Sequence, residues 1–219
     1  MKTTEVPVFE RILKANDYIA EGNKKLFTGK HVFVSGIIAS PGAGKTALLE
    51  RTVPILQKNN LSPAVLVGDI ATTRDAERIQ KFGIPSIQLT TGGACHLEAQ
   101  QVHEAVQTLD LDKIDFLFIE NVGNLVCPSS YDLGEHLKIV MLSVPEGDDK
   151  VAKYMSTFRR AELIILNKID LLDSHDFDVV KVKQEALALN PDVDWLEVSC
   201  RTGKGIDEWI TYLEQRRFE

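Results

Sequence analysis

The sequence predicts an α/β fold, with a mostly parallel central sheet of about seven strands and helices on both faces. Three observations carry that expectation. Short apolar runs alternate with amphipathic ones along the 219 residues, the pattern of strands joined by crossover helices. The first apolar run, 32–38, leads through a glycine-rich turn, Ala39-Ser40-Pro41-Gly42-Ala43-Gly44-Lys45-Thr46, into a helix-like run. Finally, apolar runs end in Asp69, Glu120 and Asn167, and open α/β sheets gather their polar chemistry at the carboxyl ends of the strands.

Taken in order, the first element is an amphipathic helix over about 7–23, with Phe9, Ile12, Leu13 and Ile19 on one side and Glu10, Lys14 and Asp17 on the other. The strand at 32–38 and the turn precede a helix running to Asn59-Asn60. A buried strand follows from Pro63 to Asp69, then a polar loop from Ala71 to Asp75, a short helix from Ala76 to Phe82 and a short strand at Ser86–Leu89. The next helix carries Leu97, Val102, Ala105, Val106 and Leu109, and is expected to start at Cys95-His96. Ile114 to Ile119 is an apolar strand, and Asn121 to His136 a long loop rich in Gly, Pro, Ser and Asn. Strands at Lys138–Ser143, Leu163–Leu166 and Val193–Val198 alternate with helices near Asp149–Phe158 and Asp178–Leu189, and a helix from Gly205 to Arg216 comes last.

Composition bounds the function. A hydrophobic content of 44% supplies a full core for one domain spanning 1–219. The net charge of -7, with no long Lys/Arg cluster, excludes a nucleic-acid partner of the usual basic kind. No signal-peptide region is read at the N-terminus, and no apolar run approaches the ~18 residues of a membrane span. Three cysteines without a C-x-x-C pair make a disulfide framework unexpected. These features point to a cytoplasmic chain with reduced thiols and no membrane partner.

The glycine-rich turn has the pattern of a phosphate-binding loop, apart from Ala39 where the first glycine usually stands. Gly42 and Gly44 let successive amides point at an anion, alongside Pro41, Ala43 and Ala47. Lys45 reaches the β- and γ-phosphates, and the Thr46 hydroxyl is a Mg²⁺ ligand. The expected fold is therefore that of a P-loop NTPase. Asp69 and Glu120 are the acids available to support Mg²⁺. Glu120-Asn121-Val122-Gly123 is a relative of D-x-x-G, whose glycine N–H meets the γ-phosphate, which makes Lys45, Thr46 and Gly123 the catalytic candidates.

Downstream, Asn167-Lys168-Ile169-Asp170 has the form N-K-x-D after an apolar strand. The Asp170 carboxylate can accept from N1–H and the exocyclic amine of guanine, whereas adenine presents an acceptor at N1, and an unmet buried group discriminates by ~1–3 kcal/mol or more. Asn167 reads the base edge and the Lys168 stem lies along the ring. Ser199 and Cys200, after another strand, occupy a position where guanine-nucleotide proteins place a backbone contact to the base.

Three soft ligands remain. Cys95 and His96, together with Cys127, suit Zn²⁺, Ni²⁺ or copper better than Mg²⁺. A helix N-terminus at Cys95 would lower its thiol pKa. Neighbours on a helix point ~100° apart, so Cys95 and His96 can share a metal only if that turn is not regular helix. A buried cysteine that merely fills core is the competing expectation. His103 and His136 are further candidates.

The residues together carry a resemblance. The run Glu120-Asn121-Val122-Gly123-Asn124-Leu125-Val126-Cys127-Pro128, the run Cys95-His96-Leu97-Glu98-Ala99, the Ser40–Thr46 loop and the Glu146–Lys150 loop are similar to those of the HypB family. These are GTPases that assist nickel insertion into [NiFe]-hydrogenase. The resemblance implies a slow GTPase that binds Mg²⁺ and Ni²⁺ or Zn²⁺ and dimerises in response to GTP. Cys95, His96 and Cys127 would be its Ni/Zn ligands near the dimer interface, and its partner a hydrogenase precursor or another maturation factor. The cysteine-rich N-terminal nickel motif of many bacterial members is not in this sequence, which favours delivery over storage. Two alternatives stand beside it: a nucleotide-gated scaffold holding a structural zinc, and a urease-type nickel GTPase, which is disfavoured because Ser129 follows Cys127-Pro128 where that type has histidine.

Overall fold

A computed structural model describes residues 8–69 and 74–217, with side chains from 11 and from 75 onward in those two stretches. Seven strands form one sheet: β1 (Phe33–Ala39), β2 (Pro63–Asp69), β3 (Ser86–Thr90), β4 (Phe116–Glu120), β5 (Leu137–Ser143), β6 (Leu163–Asn167) and β7 (Asp194–Glu197). Their order is β3-β2-β4-β1-β5-β6-β7, and every pairing is parallel. The expectation of a mostly parallel sheet is met by an entirely parallel one.

The sequence explains this directly. β1, β4 and β6 are buried at every position, as parallel strands covered on both faces must be. Alternate residues divide between the two faces. Phe33, Ile37 and Ala39 pack with Leu48, Leu49, Val53, Ile79 and Trp209, which belong to α2 (Lys45–Lys58), α3 (Arg74–Gln80) and α8 (Ile206–Arg216). Val34 packs on the other face with Phe27, Val102 and Ala105, from α1 (Val8–Gly29) and α4 (Ala99–Val106). Ile38 shares that face with Val151, Phe158 and Val182, from α5 (Lys150–Lys153), α6 (Met155–Arg159) and α7 (Val179–Leu189).

Three expectations need correction. Pro7, the expected helix start, lies outside the described residues, and α1 runs on to Gly29, six residues beyond the expected end, because Phe27 inserts fully into the core. The polar loop at Ala71–Asp75 also lies mostly outside the described residues, and Asp75 itself belongs to α3. The helix expected at Asp149–Phe158 is two short ones, broken where Tyr154 leaves helical geometry at φ -120°, ψ 42°.

α1 is stitched to the far side of the molecule by two carboxamides one heptad apart. Asn16 donates to the Asp132 carbonyl at 2.8 Å and accepts from the Ala99 amide at 2.8 Å. Asn23, fully buried, donates to the Ala99 carbonyl at 2.9 Å and the Leu133 carbonyl at 3.2 Å. α1 thereby binds the start of α4 and the loop before β5 at once.

Candidate functional site

The Ala39–Thr46 turn, Asp69, Glu120 and Asn167 all lie at the carboxyl ends of central strands. Ala39 is the last residue of β1, fully buried and paired with Met141. Extended backbone asks nothing of a glycine there, so the missing glycine leaves the turn intact. Gly44 is different: its φ is +108°, and a Cβ would stand 2.4 Å from Asn167 Nδ2. Only glycine lets the start of α2 approach N-K-x-D this closely.

A cavity of about 560 Å³ opens over this turn, lined by Pro41, Gly42, Gly44, Lys45, Thr46, Ala47, Asp69, Glu120 and Gly123 among others. The Thr46 hydroxyl donates to Glu120 Oε1 at 2.8 Å, and Lys45 Nζ lies 3.9 Å from the same oxygen. Glu120 is 3% exposed, and its Oε2 has no hydrogen-bond partner among the described residues. Burial pushes its carboxyl up to about 7, against the pull of Lys45 and Thr46. A buried, half-satisfied carboxylate beside a threonine hydroxyl and Asp69 is a hard oxygen set suited to Mg²⁺. Gly123 closes on the turn, since a Cβ there would come within 3.0 Å of Pro41.

On the other side of Gly44 a slot of about 300 Å³ runs between Ala47, Asn167, Lys168, Asp170, Leu171, Cys200 and Arg201. Asn167 donates to the Ala43 carbonyl at 2.9 Å and accepts from the Cys200 amide at 3.2 Å. Lys168 Nζ donates to the Gly42 carbonyl at 2.7 Å. The Ser199 hydroxyl donates to Asp170 Oδ1 at 2.5 Å, with Arg201 3.8 Å from the other oxygen. These contacts fix the Asp170 carboxylate at the edge of the slot. Burial pushes the Cys200 thiol up to about 11, so it stays a neutral wall of the slot.

The soft ligands also converge. Cys95 Sγ, a ring nitrogen of His96 and Cys127 Sγ lie within 4.8 Å of one another, each half-buried. One point is corrected: Cys95 does not start a helix. α4 begins at Ala99 behind the N-cap Glu98, whose amide donates to the Gln101 side chain, and Cys95 and His96 occupy an irregular bend. That bend is what allows adjacent residues to face one point. Without the helix end, the Cys95 thiol is raised rather than lowered, by its hydrogen bond to Cys127 and by burial. His96 stacks on Tyr131 at 3.9 Å, and burial lowers its pKa, which keeps the imidazole neutral and able to ligate. His103 and His136 stand elsewhere, bonded to Asn23 and to Val34 and Thr28.

The two sites share a loop. Asn121, next to Glu120, accepts from the Leu97 amide at 3.1 Å, and Asn124 donates to the Cys95 carbonyl at 3.3 Å. Sequence reasoning missed these links, and it missed Asp75 and Arg78, which also line the larger cavity. The i,i+3 spacing of Asp75 and Arg78 is common on any helix surface and does not by itself mark a cavity.

The fold and these paired sites define a nucleotide-binding protein of the P-loop type with a cluster of three soft side chains beside the nucleotide cavity. Residues 33–197 match the nucleotide-binding domain described as CobW/HypB/UreG. The chain is 46% identical over 206 residues to the hydrogenase maturation factor HypB of Azotobacter vinelandii, covering 94% of this chain and 68% of that one. It is 40% identical over 219 residues to the hydrogenase/urease maturation factor HypB of Helicobacter pylori, covering 98% and 89%. The crystal structure of HypB from Helicobacter pylori in complex with nickel superposes with a TM-score of 0.89 at 40% identity, covering 93% of this chain and 95% of that one. The chain belongs to the HypB family of hydrogenase maturation factors.

Proposed function

We propose that this chain is a GTP-hydrolysing metallochaperone, a single GTPase domain led by α1, that carries Ni²⁺ or Zn²⁺ on Cys95, His96 and Cys127. It delivers nickel in the cytoplasm to a hydrogenase precursor or through another maturation factor. The observation that carries the reading is the loop from Glu120 to Cys127: one end lines the cavity over the glycine-rich turn and the other bears Cys127, which converges with Cys95 and His96.

In this reading the Gly42–Thr46 amides and Lys45 hold the β- and γ-phosphates, and Asn167, Lys168 and Asp170, with Ser199 and Cys200 behind them, select guanine. Mg²⁺ held by Thr46, Asp69 and Glu120 would neutralise charge on the phosphate oxygens. The Gly123 amide meets the γ-phosphate, and drawing it inward moves Cys127, within ~14 Å of chain. Asn124 stands where many GTPases keep a water-orienting glutamine, yet its side chain is committed to Cys95 and Val126. Intrinsic turnover is therefore slow, and pairing with a second copy or a client speeds it.

Among the described residues three half-buried donors converge, which leaves a coordination position for solvent, a client or a second copy, whereas a structural zinc is closed by four protein ligands. That favours delivery over the scaffold reading. The relative from Helicobacter pylori is named for both hydrogenase and urease, so nickel enzymes of either kind suit the client.

The test is titration calorimetry with Ni²⁺ and Zn²⁺ on the GDP-bound and GTP-analogue-bound protein, with sedimentation of the same samples. Metal affinity and association should both change with nucleotide. If neither changes, the two sites are uncoupled and the delivery reading falls.

A further inference from the structure

Arg78 is the basic group of the phosphate cavity that the reading above leaves without a task. It projects from α3 and lines the cavity together with Lys45, Thr46, Asp69, Asp75 and Glu120. Its guanidinium is held as a fork: Nε bonds Glu50 Oε1 at 2.9 Å, Nη2 bonds Glu50 Oε2 at 2.6 Å, and Nη1 reaches Asp75 Oδ1 at 3.2 Å. Glu50 follows Thr46 by four residues on α2, so the two share a face about one 5.4 Å turn apart. The fork thus sits one turn from the hydroxyl that faces Glu120. Both Arg78 and Asp75 are close enough to Glu120 for their charges to act on its carboxyl.

The partners of this fork are themselves replaceable. Arg78 and Glu50 are 39% and 32% exposed, and Asp75 is 39% exposed. The bidentate pair holds the guanidinium in a fixed orientation, and a phosphate presents two oxygens to the same planar fork with more charge than a carboxylate carries.

We propose that Arg78 is a catalytic residue supplied in cis, which leaves Glu50 for the γ-phosphate when a nucleoside triphosphate fills the cavity. The proposal rests on the nucleotide-hydrolysis reading and extends it. In the step concerned, the oxygen of a water bonds to the γ-phosphorus while the bond to the β–γ bridging oxygen breaks, the bond's electron pair leaves with the diphosphate, and the water's protons pass to the inorganic phosphate and to solvent. Negative charge builds on the bridging oxygen and is spread over the γ-oxygens, where a guanidinium stabilises it. Glu50 is then a latch whose removal leaves the arginine freer to engage.

The experiment compares wild type, Arg78→Ala, Arg78→Lys and Glu50→Gln in single-turnover GTP hydrolysis, with GTP-analogue and GDP binding measured on each. Arg78→Ala should lower the hydrolysis rate at least ~10-fold and weaken the GTP analogue while GDP affinity stays within ~2-fold, because GDP has no γ-phosphate. Arg78→Lys should restore part of the rate, and Glu50→Gln, in which Arg78 stays, should hold or raise it. A purely structural role would move GDP and GTP binding together and would be felt equally in Glu50→Gln. Hydrolysis by Arg78→Ala at the wild-type rate overturns the proposal and leaves the nucleotide reading standing. A wild type that binds neither guanine nucleotide overturns both.

Discussion

The Asn121 side-chain oxygen accepts two amides, that of its neighbour Val122 at 2.9 Å and that of Leu97 at 3.1 Å. Leu97 is fully buried and directly follows His96. One carboxamide thus ties the residue after Glu120 to the segment carrying Cys95 and His96. Asn121→Ala leaves the buried Leu97 N–H unpaired and should cost about 1–3 kcal/mol of stability in chemical denaturation. It should also abolish the dependence of Ni²⁺ affinity on nucleotide, read by calorimetry with GDP and with a GTP analogue.

Glu120 makes nucleotide-free stability depend on pH. Its carboxyl titrates near 4.5 when unfolded and about 7 when folded. Between those values the folded state binds the extra proton, so stability falls as pH rises through the window, by roughly 3 kcal/mol in all. Glu120→Gln should flatten that slope in urea titrations run from pH 4.5 to 8. In the wild type, Mg²⁺-nucleotide binding should tighten over the same range, because the ligating form is the ionised one.

Cys127→Ala separates delivery from scaffold. Delivery predicts Ni²⁺ affinity reduced by ~10-fold or more with GTP affinity unchanged. A melting temperature that drops only when metal is stripped from the wild type would identify a structural site instead.

Asp170→Asn should move nucleotide preference from guanine to xanthine, seen by competition binding. Ser199→Ala removes the hydroxyl that orients Asp170 and should weaken GTP by about 1 kcal/mol without changing that preference. Unchanged GTP affinity in Asp170→Asn would refute the base assignment.

Asn23→Ala strips partners from the Ala99 and Leu133 carbonyls and from His103. It should destabilise the fold by about 1–3 kcal/mol, measured as a shift in denaturant midpoint at constant slope.

What could be read from the sequence was local. The five inner strands were legible because a parallel strand covered on both faces must be largely apolar, whereas the edge strands β3 and β7 are only partly buried and carry a weaker signal. The glycine-rich turn and N-K-x-D each announced themselves within a few residues, and Cys95-His96 and Cys127 by their residue types. Cys95 was misplaced onto a helix because the helical period of Leu97, Val102 and Val106 runs up to it, while the N-cap that stops α4 is Glu98, a weak capping residue. Asn16, Asn23 and Arg78 were not legible. Asn16 and Asn23 reach partners 76 to 116 residues away, and Arg78 finds Glu50 on a different helix. No local pattern distinguishes such residues from ordinary surface polar groups.

The strand order has a consequence for synthesis. β1 lies in the middle of the sheet, yet Phe33 pairs with Phe116 on one side and Ser35 with Leu137 on the other. At translation rates of ~5–20 residues/s, this fully buried strand waits several seconds with both edges bare. Glu120 and Asn167, which complete the phosphate turn, are made later still, so nucleotide cannot rescue the nascent chain. Substitutions in 33–39 should therefore lower the yield of folded protein more than their effect on the finished molecule would suggest.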